Sequence, residues 1–560
     1  MSNRRNFLKN TILGGITASA PFQLNANTYN PQDISEQESL ENSPSKQTLT
    51  LLQTTDVHCQ INPHDELFWE NNQMTFRQTA GYAHIATLFQ RFRKKNPDTF
   101  IIDTGDMFQG SMLSVKTTGD AYVDILNALG YDLFLPGNWE VIYYKQKMQR
   151  LLGGLNAPKV CANMFHDLGE GKRGELIFPP YNTWTRHGVK IGFLGYTDPL
   201  VPLRQSPNYS KGIIYSKPEE NLKYYVNVLK EQEQCEFIII LAHLGLSQQI
   251  HLANLPECEG VNYIFGGDTH ERVRKPIQCK YAKVVEPGAF GSFVGKLDLH
   301  LENGKIVGED YELIEVSTQK YKANKEMQQM INAQEKPFTE SINKIHGYST
   351  VPLYRYFVIE NTIDTLIIDA LMDAAKTDIV VSNGFRFCPP RHFDASGKVP
   401  ITEGYIFDML PVDAQVRTAE VTGKQLKDWL EKELQNVFAK DASKRFGGWV
   451  IKLNGMNVTF KALEEMGKRV QSMEVGGKPI DYDKTYTITA CERDGDPETM
   501  LCRIPNVKNG KNLPLTMHQV IRDYVKKNSP VTPKPHGNVK ALDVPETLLS
   551  QVFGVDYQFT

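Results

Sequence analysis

Short apolar runs alternate with amphipathic stretches along most of this chain, and many of the runs end on a small group of glycine and polar residues. The runs at 49–53, 99–102, 132–135, 189–195, 236–241, 261–265 and 283–286 predict buried strands. Between them, 80–95, 119–129 and 217–233 carry apolar residues at helical spacing, which is the alternation of an α/β layered domain over 48–316. An Asn303-Gly304 pair between the apolar segments 297–301 and 307–314 predicts a β-hairpin, so antiparallel strands belong to that domain too. Residues 317–346 are charged and Gln-rich with Met, Ile and Phe at helical spacing, and predict a long exposed connecting helix. A helix at 361–375, a strand at 378–381 and a helix at 516–527 then predict a second α/β domain over 347–545, followed by a tail at 546–560.

The N-terminus departs from this pattern. Asn3-Arg4-Arg5-Asn6-Phe7-Leu8-Lys9 leads into a modestly apolar, Gly- and Ala-rich stretch with small residues for cleavage between Ala18 and Ala26. It predicts a twin-arginine export signal over 1–26 and a periplasmic protein, with 27–47 as a polar leader. Apolar runs such as 237–242 are far too short to span a bilayer, so no membrane anchor is expected. A length of 560 residues implies two to four domains, and 41% hydrophobic with 23% charged residues fits a soluble globular chain. The net charge of -3, with Lys and Arg dispersed, leaves no footprint for nucleic acid. Eight cysteines form no Cys-x-x-Cys pair, which argues against a thiolate zinc knuckle. Cys258 and Cys279 are the pair of interest for a disulfide, and Cys59, next to His58, reads as a small buried thiol.

Five polar motifs follow predicted strands: Asp56-Val57-His58, Gly105-Asp106, Gly137-Asn138-Trp139-Glu140, His243 in Leu-Ala-His-Leu-Gly, and Gly267-Asp268-Thr269-His270. Taken singly, each is an ordinary turn or cap. Five at strand ends converge on one crevice, because ligands in α/β sheets bind outside the carboxyl ends of strands. Carboxylate, imidazole and amide donors without sulfur suit manganese, iron or zinc. The expected set is Asp56, His58, Asp106 and His270 for one divalent ion, with Asp106 as a bridge and Asn138, His243 and Asp268 for the other. Two such ions activate a water for attack at neutral pH, which predicts a hydrolase in which Asn138 and His243 also contact the reacting oxygens.

The order of these motifs resembles the calcineurin-like metallophosphoesterases, and the second domain narrows the likeness to the 5'-nucleotidase family. There the resemblance rests on Ser382-Asn383-Gly384-Phe385-Arg386, Val421-Thr422-Gly423-Lys424 and Asp494-Gly495-Asp496. It implies a four-layer αββα sandwich followed by an α/β substrate domain across a cleft, with Arg386 as an anion ligand or a structural ion pair. The family's Gly-Asn-His-Glu-x-Asp motif reads Gly137-Asn138-Trp139-Glu140-Val141-Ile142 here, so both charged dyad positions are apolar. Losing such a group typically costs about 10²–10⁴-fold. The two base-stacking aromatics of nucleotidases fall on Val450 and Ala490, and the first His of the family's Gly-His-x-His is Asp268.

Trp139-Glu140, the 81–88 stretch Gly-Tyr-Ala-His-Ile-Ala-Thr-Leu, Asn383 to Phe387 and the 430–448 run look like the SoxB branch of dinuclear manganese thiosulfohydrolases. That likeness implies two divalent ions, manganese in preference to zinc or iron, and release of sulfate from a cysteine S-thiosulfonate on a sulfur-carrier protein, with Trp139 and Arg386 facing substrate. The alternatives are a 5'-nucleotidase or other small phosphomonoester or cyclic-nucleotide hydrolase, and a catalytically weakened binding protein of the same fold.

Overall fold

The computed structural model describes residues 46–382, 387–549, 552 and 555. The predicted export signal, nearly all of the leader, most of the tail and Arg386 lie outside these residues.

In the first half, the predicted strands form two sheets. One runs in the order Lys305–Glu315, Phe293–Glu302, Lys46–Thr54, Thr99–Asp103, Leu133–Phe134. The other runs Ile277–Gln278, Lys283–Val285, Tyr263–Gly267, Phe237–His243, Val189–Thr197, Tyr181–Arg186. Motif-bearing strands are parallel to one another within each sheet: Lys46–Thr54 to Thr99–Asp103, and Phe237–His243 to Tyr263–Gly267. Their carboxyl ends therefore open on the same side. The sheets meet face to face, with the Phe100 and Phe193 rings stacked at 5.0 Å. Helices Tyr82–Lys95 and Asp120–Leu129 cover one outer face, and Leu246–Asn254 covers the other. Residues Tyr82, Ile85, Leu88 and Phe89 of the first helix are buried at i, i+3, i+6 and i+7. This is the four-layer αββα sandwich, joined to a C-terminal α/β half.

The stretch predicted as one long exposed helix is instead three pieces: Lys325–Glu335, a single turn at Lys336–Phe338, and Thr339–Ile342. Pro337, which lacks an N–H, stands at the break. Nor is it a free connector, because Met327 and Ile331 are buried in the core of the first half. The second half is built on a five-stranded sheet ordered Lys452–Asn454, Ile379–Ser382, Thr485–Cys491, Gln415–Thr422, Lys508–Thr516. The Val421 to Lys424 motif is a capping box: Thr422 Oγ accepts from Gln425 N and opens the helix Gly423–Phe438. All eight cysteines are free thiols, so Cys258 and Cys279 form no disulfide.

Hydrogen bonds clasp the halves around the strand-end loops. Arg493 Nη1 donates to the carbonyl of Gln205 at 3.2 Å, Gln248 Nε2 donates to Ala442 and Arg445 carbonyls at 2.9 Å, and Asp65 accepts from His392 N at 2.7 Å. Asp494-Gly495-Asp496 belongs to this clasp: Asp494 accepts from Asn208 at 3.0 Å. Arg272, two residues past His270, is fully buried among Phe293 and Tyr356 rings, and Glu66 Oε1 accepts from it at 2.7 Å. Glu66→Ala removes the carboxylate paired with that buried guanidinium and is expected to cost about 3–5 kcal/mol. Urea unfolding followed by far-ultraviolet circular dichroism reads this as a lowered midpoint, and an unchanged midpoint contradicts it.

Candidate metal centre

Close approach of the loops requires glycine at two points. A Cβ on Gly105 (φ +108°) would lie 2.5 Å from Gly137 N, and one on Gly267 would lie 2.2 Å from Thr55 Oγ. Five of the predicted ligands, Asp56, His58, Asp106, Asp268 and His270, also sit at positive φ between 49° and 86°. L-residues adopt that region at a cost, and such strain collects at functional sites.

The side chains converge as the strand topology requires. His58 Nε2 and His270 Nε2 face each other at 3.2 Å. Asp56 Oδ1 lies 3.3 Å from His270 Nε2, 3.7 Å from His58 Nε2 and 3.8 Å from His243 Nε2. Asp106 Oδ2 lies 3.2 Å from His243 Nε2 and 3.6 Å from His58 Nε2. Two groups of three donors result, Asp56–His58–His270 and Asp56–Asp106–His243. Thus Asp56, as well as Asp106, stands between them.

Neighbours hold these donors in a ligating orientation. Thr55 Oγ and Asp268 N both donate to Asp56 Oδ2, at 2.7 and 3.0 Å, which leaves Oδ1 for the centre. His243 Nδ1 is 2.7 Å from the Thr104 carbonyl, and His58 Nδ1 is 3.0 Å from that of Gln109. Donation there leaves each Nε2 lone pair facing inward. Glu140 ties the second and third loops together, accepting from Met107 N at 2.7 Å and Asp106 N at 3.1 Å. Burial and the nearby Asp106 charge push its carboxyl up to about 7.

Asp56 Oδ1, Asn138 Oδ1 and His243 Nε2 are buried without a hydrogen-bond partner. Buried polar atoms are ordinarily satisfied, so three orphaned donors aimed into one space fit a divalent cation. The charges agree. Burial alone would raise the Asp56 carboxyl, but His243 and His270 hold it well below the usual range. Burial likewise opposes protonation of His243, yet Asp106 and Asp56 raise it well above its ordinary value, and Asp56 and Asp106 raise His58.

One expected ligand stands apart. Asp268 belongs to neither donor group: Arg204 Nη1 donates to its two oxygens at 2.9 and 3.1 Å, and Asn138 Nδ2 donates to Oδ1 at 2.8 Å. Asp198 flanks the same guanidinium at 3.1 Å. Arg204 and Asp198 carry a signal that sequence reasoning passed over, since Asp198 follows the buried strand Val189–Thr197 as the other motifs follow theirs. The pocket over the donors holds about 160 Å³, with Trp139, Phe387, Phe446 and Arg503 in its wall. Trp139, Arg204 and Arg503 also line a chamber of about 450 Å³ between the halves.

A calcineurin-like phosphoesterase model matches residues 49–272, and a 5'-nucleotidase C-terminal domain model matches 345–491. The chain is a metallophosphoesterase of the 5'-nucleotidase family. Among its relatives, the trifunctional nucleotide phosphoesterase YfkN of Bacillus subtilis is 24% identical over 542 residues, 86% of this chain, although the match spans only 36% of YfkN. The 5'-nucleotidase of Vibrio cholerae is also 24% identical over 542 residues, covering 86% of this chain and 91% of that protein. The sulfate thiohydrolase SoxB of Thermus thermophilus superposes with a TM-score of 0.78 at 20% identity, over 90% of this chain and 98% of SoxB. A 5'-nucleotidase precursor, also from Thermus thermophilus, gives 0.75 at 22%, over 89% of this chain and 100% of that one. These two structures bear on the fold. The metallophosphoesterase is a metal-dependent hydrolase, and the family implies divalent ions at the donor groups described above.

Each imidazole must shed its proton to accept a metal ion, and His58 and His243 hold theirs above the ordinary range. Metal affinity of the phosphoesterase is therefore expected to rise with pH through neutrality, by up to about tenfold per pH unit for each proton displaced. Manganese titrations at pH 6 and pH 8 against a competing chelator check this, and a pH-independent affinity contradicts it.

Proposed function

We propose that this hydrolase releases sulfate from a cysteine S-thiosulfonate presented by a sulfur-carrier protein, after export by the twin-arginine route. Water adds to the terminal sulfonate sulfur, the S–S bond breaks, sulfate departs, and the carrier keeps a protonated persulfide. Bound divalent metal, manganese by preference, supplies Lewis acidity and makes the attacking water nucleophilic at neutral pH. His243 and Asn138, each with an inward orphan atom, orient the reacting oxygens. Trp139 and Arg204 wall the pocket, so the anionic sulfonate meets an apolar face and a fixed positive charge. Among the described residues, no helix is long and apolar enough to cross a membrane.

The observation that carries this reading is the fate of the base-stacking positions. Val450 and Ala490 are aliphatic and buried in the core of the second half, so neither offers a ring to a nucleobase. Trp139, with no proton to give an oxyanion except through its indole N–H, adds to the case against ordinary nucleotide chemistry.

A second reading, nucleotide hydrolysis, is favoured by the names of the curated relatives and by a ring pair on the chamber wall. Tyr144 is 54% exposed, and its ring stands edge-on to Tyr209 at 5.9 Å, where a planar base has room to stack. Manganese-loaded full-length protein incubated with a thiosulfonate-bearing cysteine peptide or with AMP separates the two. Sulfate from the peptide, at least about 10²-fold faster than phosphate from AMP, is expected. Phosphate without sulfate refutes the proposal and leaves the nucleotidase reading.

A further inference from the structure

The Arg204–Asp268 pair lies inside the pocket that holds the metal donors, and it changes what that pocket contains. Arg204 extends from the short helix Val201–Arg204, its side chain is only 12% exposed, both oxygens of Asp268 accept from Nη1, and Asp198 Oδ2 lies 3.1 Å from it as an ion pair. Nη2 donates to the Phe446 carbonyl of the second half, so the guanidinium is fixed from both sides of the cleft. Its Nε is buried without a partner. Asp268 is separated from the donor groups by one hydrogen bond, from Asn138 Nδ2 at 2.8 Å.

The two donor groups are consequently unequal. At one end, Asp56, His58 and His270 converge with Asp106 close by. At the other, Asp56, Asp106 and His243 converge with Asn138 beside them, but the next carboxylate, Asp268, is already paired with an arginine. A cation arriving there gains little from Asp268, whose charge is already matched by a permanently charged guanidinium.

We infer that Asp268 is an anchor for Arg204 and not a metal ligand, and that the Arg204 guanidinium takes the place of a tightly held second metal ion. The protein then keeps one divalent ion firmly, at Asp56, His58 and His270. Arg204, with its unpartnered Nε, is the second positive group facing a tetrahedral oxyanion. This rests on the hydrolase reading but holds whichever oxyanion is the substrate.

The test uses the full-length protein with manganese alone as the probe. After loading and dialysis, elemental analysis is expected to give about one ion per chain, with the six-line paramagnetic resonance spectrum of an isolated ion. The second ion's dissociation constant should exceed the first by about 10–100-fold or more. Asp268→His combined with Arg204→Met frees a neutral ligand and removes the opposing charge, and should retain two ions with an exchange-coupled spectrum. Arg204→Met alone, verified as folded by its melting temperature, should gain partial second occupancy. Two coupled ions in the unmodified protein overturn the inference and leave the hydrolase standing. No retained ion in the unmodified protein overturns both.

Discussion

A single carboxylate oxygen, Asp56 Oδ1, is the point around which the first half is organised. It is buried, has no hydrogen-bond partner, and lies within 3.8 Å of three imidazole nitrogens. A bare charge in that position would be intolerable without cations, because desolvation of an unpaired carboxylate costs several kcal/mol or more. The surroundings ensure that it stays bare on the protein side. Thr55 and the Asp268 amide occupy the other oxygen, and the imidazoles of His58 and His243 are turned inward by carbonyls at their Nδ1 atoms. Left-handed backbone at Asp56, His58, Asp106 and His270, and glycine at 105 and 267, are what this convergence demands of the loops.

The second half completes the pocket, supplying Phe387, Phe446 and Arg503 to its wall and meeting Gln205 and Gln248 of the first half through Arg493 and the Arg445 carbonyl. The same clasp fixes Arg204, so the charge facing substrate depends on both halves at once. The proposed substrate preference rests on a few residues around this donor frame. Trp139 and Ile142 are apolar at the third loop, Val450 and Ala490 are aliphatic and buried, and Asp268 is paired with an arginine.

Much of this was legible in the chain. Parallel strands read as unbroken apolar runs, so the strand ends, and hence the loops carrying Asp56, Asp106, Asn138, His243 and His270, could be located by pattern alone. Periodicity could not show that Pro337 breaks the connecting helix or that Met327 and Ile331 bury its apolar side. The Asp268 reading followed residue type, and its pairing with an arginine was not visible in the chain. That partner, Arg204, is 64 residues away in sequence and follows a strand whose terminal motif looked unremarkable. Pairings of this kind are set by topology, and no local pattern records them.

Anomalous difference density from a manganese-soaked crystal of the protein shows whether these loops build a metal centre around Asp56 Oδ1. A strong peak is expected about 2.2 Å from Asp56 Oδ1, His58 Nε2 and His270 Nε2. A map with no anomalous peak among these three atoms, in protein shown to be folded, would contradict such a centre.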